Sequence, residues 1–256
     1  MAVDLSPWMT RLEARHLANL QFSEVSRALR ALSSAYVERR QTALAAHRVL
    51  DGTGKRAAFA LYYGPLHFLA TAHVLEAILP GWPGPDSAEW PVLDLGCGTG
   101  AAGAAAALAT RAPSVLGLDT LPWALDQARE TYTTFGLNGT VTRGSAARIR
   151  PPRRPALIVL SYVVNELPEA ERSELRQSLM HAVRLGSHAL ILEPLARSAA
   201  PWWPEWVRAF APLGARADEW KLTVTPPPLV CRLGEAAGLT STRVNLRTLM
   251  VGGSRG

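Results

Sequence analysis

The stretch V-L-D-L-G-C-G-T-G, Val92 to Gly100, constrains this chain more than any other part of it. A run of apolar residues ending in an acid and then in three alternate glycines reads as a buried parallel strand that turns sharply at its carboxyl end. Gly96, Gly98 and Gly100 let bare backbone approach a ligand where a side chain would collide with it. Asp94, just ahead of the turn, can accept hydrogen bonds that fix the loop and, through water, bind an amino group.

The same glycines also satisfy G-x-G-x-x-G through Gly98, Gly100 and Gly103, which on spacing alone would suit a dinucleotide. A second apolar strand, Val115 to Leu118, ends in Asp119, placed to grip two ribose hydroxyls. That need is common to nicotinamide cofactors and S-adenosyl-L-methionine. The acid ahead of the first glycine favours adenosylmethionine, with a dinucleotide enzyme and a plain strand-turn-helix as the alternatives. After the strand ending near Arg143, Ser145 and Ala146 stand where adenine contacts are expected, although Ser145 replaces the acid common there, and a simple strand-to-loop turn is the other reading.

Regular alternation continues through the chain: strand 91–95, helix 100–110, strand 115–119, helix 122–136, strand 139–143, strand 156–161, helix 168–184 and strand 188–193. This predicts an α/β fold, a Rossmann-like, mostly parallel seven-stranded sheet with helices on both faces. Apolar strands near Trp220 to Thr225 and Arg243 to Val251, around a helix at Pro228 to Ala237, would close the sheet as an antiparallel hairpin-like pair. Ahead of the sheet, leucines at helical spacing over 9–50 predict two amphipathic helices. Another helical region, Arg56 to Leu79, is expected to bend at Gly64-Pro65, because proline lacks a helix donor. Gly81 to Pro91 reads as a linker. The expected division is a helical subdomain over 1–85 and a cofactor-binding domain over 86–256.

With 256 residues, 48% of them apolar, the chain can bury one good-sized core and an appendage. No stretch has the length of a membrane span and the amino terminus lacks the pattern of a signal peptide, so a cytoplasmic protein without a membrane partner is expected. Cys97 and Cys231 are too few for a disulfide framework, and reduced thiols and no metal are expected. The net charge is +6, and residues 1–56 carry nine basic groups against five acids. Such a segment, with Arg30, Arg39 and Arg40, suits RNA phosphates, or is simply a solvated helix face. Arg148, Arg150, Arg153 and Arg154 lie on the approach to a strand's amino end, away from where open parallel sheets bind ligands, and read as solvated.

The loop S-Y-V-V-N-E-L, Ser161 to Leu167, follows the fourth strand and is the expected place for chemistry. Methyl transfer from a sulfonium is an in-line displacement that needs alignment and, for some acceptors, removal of a proton. Tyr162, Asn165 and Glu166 are the catalytic candidates: Asn165 to orient an amine or hydroxyl, Glu166 to take a proton. Ser161 opens the loop as a further cofactor contact. The other reading has Asn165 and Glu166 cap the next helix. His67, Tyr62 and Tyr63 could line an acceptor site or pack a core. The segment P-W-W-P-E-W, Pro201 to Trp206, could stack a flat acceptor as a lid or pack onto the domain, and packing is the favoured reading.

Residues 90–195 resemble class I, seven-stranded S-adenosylmethionine-dependent methyltransferases, through V-L-D-L-G-C-G-T-G, L-G-L-D and S-Y-V-V-N-E-L. The whole chain resembles the bacterial and mitochondrial methyltransferase-like family associated with the small ribosomal subunit, through A-Y-V-E-R-R, A-L-Y-Y-G-P-L, S-Y-V-V-N-E-L and I-L-E-P. The first resemblance implies adenosylmethionine as cofactor; the second implies RNA or the small ribosomal subunit as partner. The chain departs from that second family in lacking its cysteine cluster after the fifth strand, where only Cys231 occurs. Three functions follow: methylation of nitrogen or oxygen in RNA or a ribosomal component, methylation of a small molecule under an aromatic lid, and a non-catalytic assembly role that retains the fold.

Overall fold

The computed structural model describes residues 3–39, 50–81, 90–150, 152–196 and 200–252. Arg40, Arg48 and nearly all of the expected 81–91 linker lie outside the described residues, as does the side chain of Arg39. The chain divides into two compact units: residues 1–70 with 222–244, and residues 71–221 with 245–256. The segment 222–244 therefore clusters with the amino-terminal helices, although it lies at the far end of the sequence.

In the first unit, α1 (Ser6–His16) and α2 (Phe22–Arg39) are the two amphipathic helices that the leucine spacing predicts. Trp8, Leu12, Val25, Leu29 and Leu32 form their buried stripe. The indole of Trp8 meets Phe68 at 5.8 Å between ring centres. α3 (Thr53–Ala58) runs into a π-helical turn, Phe59–Tyr63, and then into α4 (Gly64–Ile78), whose residues from Thr71 on belong to the second unit. The wide turn is the physical answer to Pro65. The Gly64 amide bonds Phe59 O, five residues back, and the widened ring relieves the crowding a proline ring imposes on the preceding turn.

The second unit is built on a seven-stranded sheet: β1 (Val92–Leu95), β2 (Val115–Asp119), β3 (Gly139–Arg143), β4 (Leu157–Ser161), β5 (His188–Pro194), β6 (Arg216–Thr223) and β7 (Arg243–Gly252). Their order is β3-β2-β1-β4-β5-β7-β6. Pairs β1–β2, β2–β3, β1–β4 and β4–β5 are parallel. β7 runs antiparallel beside β5, with Glu193 opposite Arg247. The expected Rossmann-like sheet is thus present. The last two strands close it with β7 inserted between β5 and β6, so they do not simply follow one another across the edge.

Helices α5 (Ala101–Thr110), α6 (Pro122–Thr134) and α7 (Glu169–Arg184) connect the parallel strands. In α5, Ala101 to Ala107 are all buried, and such small residues let the helix lie close on the sheet. α8 (Trp203–Phe210) adds Trp203, Trp206 and Phe210 to a core that includes Leu160, Ile191 and Leu249. α9 (Pro228–Ala237) belongs to the first unit, where Arg30 Nη2 donates to Ala236 O at 2.8 Å, near the end of that helix.

Candidate active site at the sheet's switch point

Strand order reverses between β1 and β4, and ligands of open parallel sheets bind beyond the carboxyl ends of the strands at such a point. The glycine loop follows β1 and the Ser161–Leu167 loop follows β4, so the fold brings together the two segments singled out by sequence.

The glycine loop is held by backbone bonds before any ligand is considered. Gly96 N and Cys97 N both donate to Leu118 O, at 2.7 and 2.9 Å, and Gly100 N donates to Cys97 O at 2.7 Å. Gly96, Gly98 and Gly100 have φ of 68°, 52° and 74°, a region that side chains disfavour. The protein itself also demands two of them. A Cβ on Gly96 would stand 2.5 Å from Val163 Cγ2, and one on Gly100 would stand 2.9 Å from Ala128 Cα and from the Tyr132 ring.

Asp94 is 1% exposed, and its Oδ2 accepts from Gly103 N at 2.9 Å and from the Tyr132 hydroxyl at 3.2 Å. Burial pushes this carboxyl up to about 7, against the opposing pull of those two donors. A Cβ on Gly103 would lie 2.8 Å from Asp94 Cγ, so glycine there is what lets the amide reach the acid. Asp119 uses both oxygens on backbone: Oδ2 accepts from Gly98 N and Oδ1 from Leu121 N, each at 2.9 Å. A carboxylate has about four lone-pair sites, so each oxygen retains capacity for a ligand hydroxyl.

Ser145 caps the short 3₁₀ turn Ala146–Arg148 by accepting from Ala147 N at 3.2 Å, and its hydroxyl meets Glu171 Oε2 at 3.5 Å. The side chain of Ala146 is buried in the core of the second unit, which leaves its backbone as the part able to face a ligand. Ser161 ends β4, and its Oγ is buried with no hydrogen-bond partner among the described residues.

Tyr162 adopts φ 60°, one of two non-glycine residues with positive φ among those described. Strain of this kind at a strand end persists only where surrounding contacts impose it. Its amide donates to Leu192 O at 2.8 Å. Burial, and then the nearby Glu193, push its phenol well up, so Tyr162 is a neutral hydroxyl unsuited to act as a base. Val164–Glu166 forms a 3₁₀ turn. Asn165 Oδ1 accepts from Trp202 Nε1 at 2.7 Å, which turns its Nδ2 the other way. Glu166 is exposed. Neither residue caps α7, whose first turn follows Pro168 without a side-chain cap.

Two participants escaped the sequence reading. Tyr132 lies 38 residues from the Asp94 it binds, and nothing local marks it. Glu193, fully buried at the end of β5, accepts at Oε1 from Val164 N at 2.8 Å and Asn165 N at 3.3 Å. Its signal was present: an acid ends an apolar strand in I-L-E-P, as Asp94 and Asp119 do in theirs. The tryptophans are no exposed lid. Trp202, Trp203 and Trp206 are 5%, 8% and 2% exposed, and Trp202 packs on Trp206 with ring centres 4.9 Å apart. Cys97 and Cys231 are free thiols, and burial pushes Cys97 far up, away from nucleophilic use. Arg148, Arg150, Arg153 and Arg154 are exposed, as a solvated run would be.

Residues 92–186 match the family model of a methyltransferase domain. Among curated proteins, none matches the chain. Among solved structures, the mitomycin 7-O-methyltransferase MmcR is similar at 14% identity and TM-score 0.54, over 88% of this chain and 68% of that one. The methyltransferase domain of bacterial CtHen1-C aligns at 13% identity and TM-score 0.50, over 74% of this chain and all of the other. An S-adenosylmethionine-dependent methyltransferase from Aquifex aeolicus is 16% identical, with TM-score 0.48, over 73% and 93% of the respective chains. At such identities the structural likeness is one of fold. The match over residues 92–186 makes the chain a methyltransferase, and its cofactor is S-adenosylmethionine.

Proposed function

We propose that the chain transfers the methyl group of S-adenosylmethionine to a nitrogen or oxygen of RNA or of a ribosomal component. Asp94, Gly96, Gly98, Gly100 and Asp119 would hold the cofactor, with Ser145, Ala146 and Ser161 at its adenine and methyl sides. The preformed glycine loop supports this assignment: its turns are already set, and Asp119 keeps lone pairs for ribose hydroxyls. The sulfonium supplies an electrophilic methyl, so the protein's task is alignment. Tyr162 would act as a neutral donor. Asn165, its carbonyl engaged by Trp202, would offer Nδ2 to the acceptor, and Glu166 would take a proton where the acceptor must lose one.

The observation that carries the RNA reading is charge. Residues 1–56 hold nine basic groups against five acids, and Arg11 and Arg27 are exposed on α1 and α2. Arg30 is a poor probe, since its guanidinium already holds Ala236 O. Free thiols at both cysteines accord with action in the cytoplasm. A second reading is methylation of a small-molecule hydroxyl. The mitomycin 7-O-methyltransferase alignment covers 88% of the chain and so takes in helices ahead of the glycine loop, although the buried tryptophans deny this reading its lid.

The deciding experiment supplies radiolabelled methyl on S-adenosylmethionine to a fractionated lysate from a strain lacking the protein, with Asp94→Ala enzyme as control. Label in small-subunit RNA or protein is the expected result. Label in the low-mass fraction alone would replace the RNA reading with the second, and no label despite cofactor binding would favour a non-catalytic role.

A further inference from the structure

We propose that Glu193 is a positioning residue that sets cofactor affinity by bracing the loop after β4 against the glycine loop. The chain of contact is short. Glu193 Oε1 accepts from two successive amides, Val164 N and Asn165 N, which fixes the backbone immediately after Val163. The side chain of Val163 in turn occupies the space beside Gly96, where a Cβ would lie 2.5 Å from Cγ2 and 2.8 Å from Cγ1. Gly96 is the first residue of the glycine turn, with φ 68°. A shift of the Val163–Asn165 backbone is therefore passed directly to the residue that shapes the cofactor loop, because packed interiors transmit strain.

The carboxyl is an expensive way to hold two amides. Glu193 is fully buried and its Oε2 has no hydrogen-bond partner among the described residues. An apolar residue would fill the same strand position at no such cost. The groups that face the carboxyl are the two amides, Glu166 and Tyr162 from the same loop, and Arg247 from β7 opposite. Burial pushes its titration up to about 8, with the amides and Arg247 pulling down and Glu166 pushing up. Protonated, Oε1 is a carbonyl acceptor; ionised, it makes shorter and stronger charge-assisted bonds to the same amides. The brace should tighten as pH rises through about 8.

The inference rests on the glycine loop being the cofactor contact, and its test separates the two. S-adenosylhomocysteine is titrated calorimetrically into the full chain between pH 6.5 and 8.5, for wild type, Glu193→Gln, Glu193→Ala and Val163→Ala. Wild type should gain about threefold in affinity across that range, as charge-assisted bonds replace neutral ones. Glu193→Gln keeps the carbonyl and should match wild type at the acid end but stay flat relative to it. Glu193→Ala should bind about tenfold more weakly throughout, as expected for loss of a bond to a charged group. Val163→Ala keeps the carboxyl but removes the contact on Gly96, and should lose the pH-dependent gain. Residue 94, which titrates in the same range, is common to all four proteins and cancels in the comparison. Equal affinities and pH profiles in folded wild type and Glu193 variants would overturn this proposal alone. Absence of binding by wild type would overturn both it and the assignment of the glycine loop.

Discussion

A carboxyl group taken out of water keeps its proton to higher pH, and both Asp94 and Glu193 sit on that side of the balance. Their native values of about 7 and about 8 stand above the ordinary 3.8 and 4.5 of the unfolded chain. Between those limits the native state binds more protons than the unfolded state. Stability is therefore full at the acid end of the window and is lost as pH rises towards 8. Thermal unfolding should show the midpoint falling from pH 5 to pH 8, with the slope reduced in Asp94→Asn up to about pH 7 and in Glu193→Gln across the whole window up to about pH 8; a midpoint that rises over this range contradicts the assignment. The Tyr132 hydroxyl lowers the Asp94 value by bonding its ionised form. Tyr132→Phe should accordingly raise it further, as read from the carboxyl ¹³C shift against pH. The roles open to Asp94 and Asp119 were legible because acid and glycine lie within a few residues of each other. Tyr132 was not, since a tyrosine in an amphipathic helix looks the same whether it binds a buried acid or only packs.

At the scale of elements, the site depends on how closely α5 and α8 lie against the sheet. Gly103→Ala would drive a methyl into the Asp94 carboxyl, within 2.8 Å of its Cγ, and should cost about 2 kcal/mol through overpacking and loss of the bond. Denaturant unfolding measures that loss, with an unchanged midpoint as the contrary result. Trp206 is 2% exposed between Trp202 and Phe210, and Trp206→Ala should cost about 3–5 kcal/mol. Trp202→Phe keeps most of that packing but deletes the bond to Asn165, so it should cost only about 1 kcal/mol while freeing the Asn165 amide to rotate. The sequence left lid and core readings of these tryptophans both open, with packing favoured, because P-W-W-P-E-W has the same composition in either. Their burial was decided by the apolar surface that β4, β5 and β7 present to α8. Likewise a departure from regular helix at Gly64-Pro65 was legible from proline chemistry, whereas its form, a π-helical turn over Phe59–Tyr63, was not.

For the molecule as a whole, an electrostatic partner leaves a signature that needs no map of the contact. If RNA phosphates bind the basic amino-terminal region, affinity for small-subunit RNA should fall steeply with salt. Replacing Arg11 and Arg27 together by glutamine should reduce the logarithmic slope by about 2 if each neutralises one phosphate. A slope equal to that of wild type would remove those side chains from any RNA interface, and S-adenosylhomocysteine affinity should be unchanged in the variant. What the sequence by itself determined is the order of strands and helices, the glycine turn and the two acids beside it. Each is written in spacings of a few residues, and backbone sterics and burial act directly on such spacings. Only the tertiary structure decided that β7 enters between β5 and β6 and that residues 222–244 join the first unit. It alone also decided that Glu193 reaches the amides of Val164 and Asn165, 29 and 28 residues away. Those outcomes come from apolar surfaces and unpaired backbone groups meeting across long stretches of chain, and neither partner carries a local mark of the other.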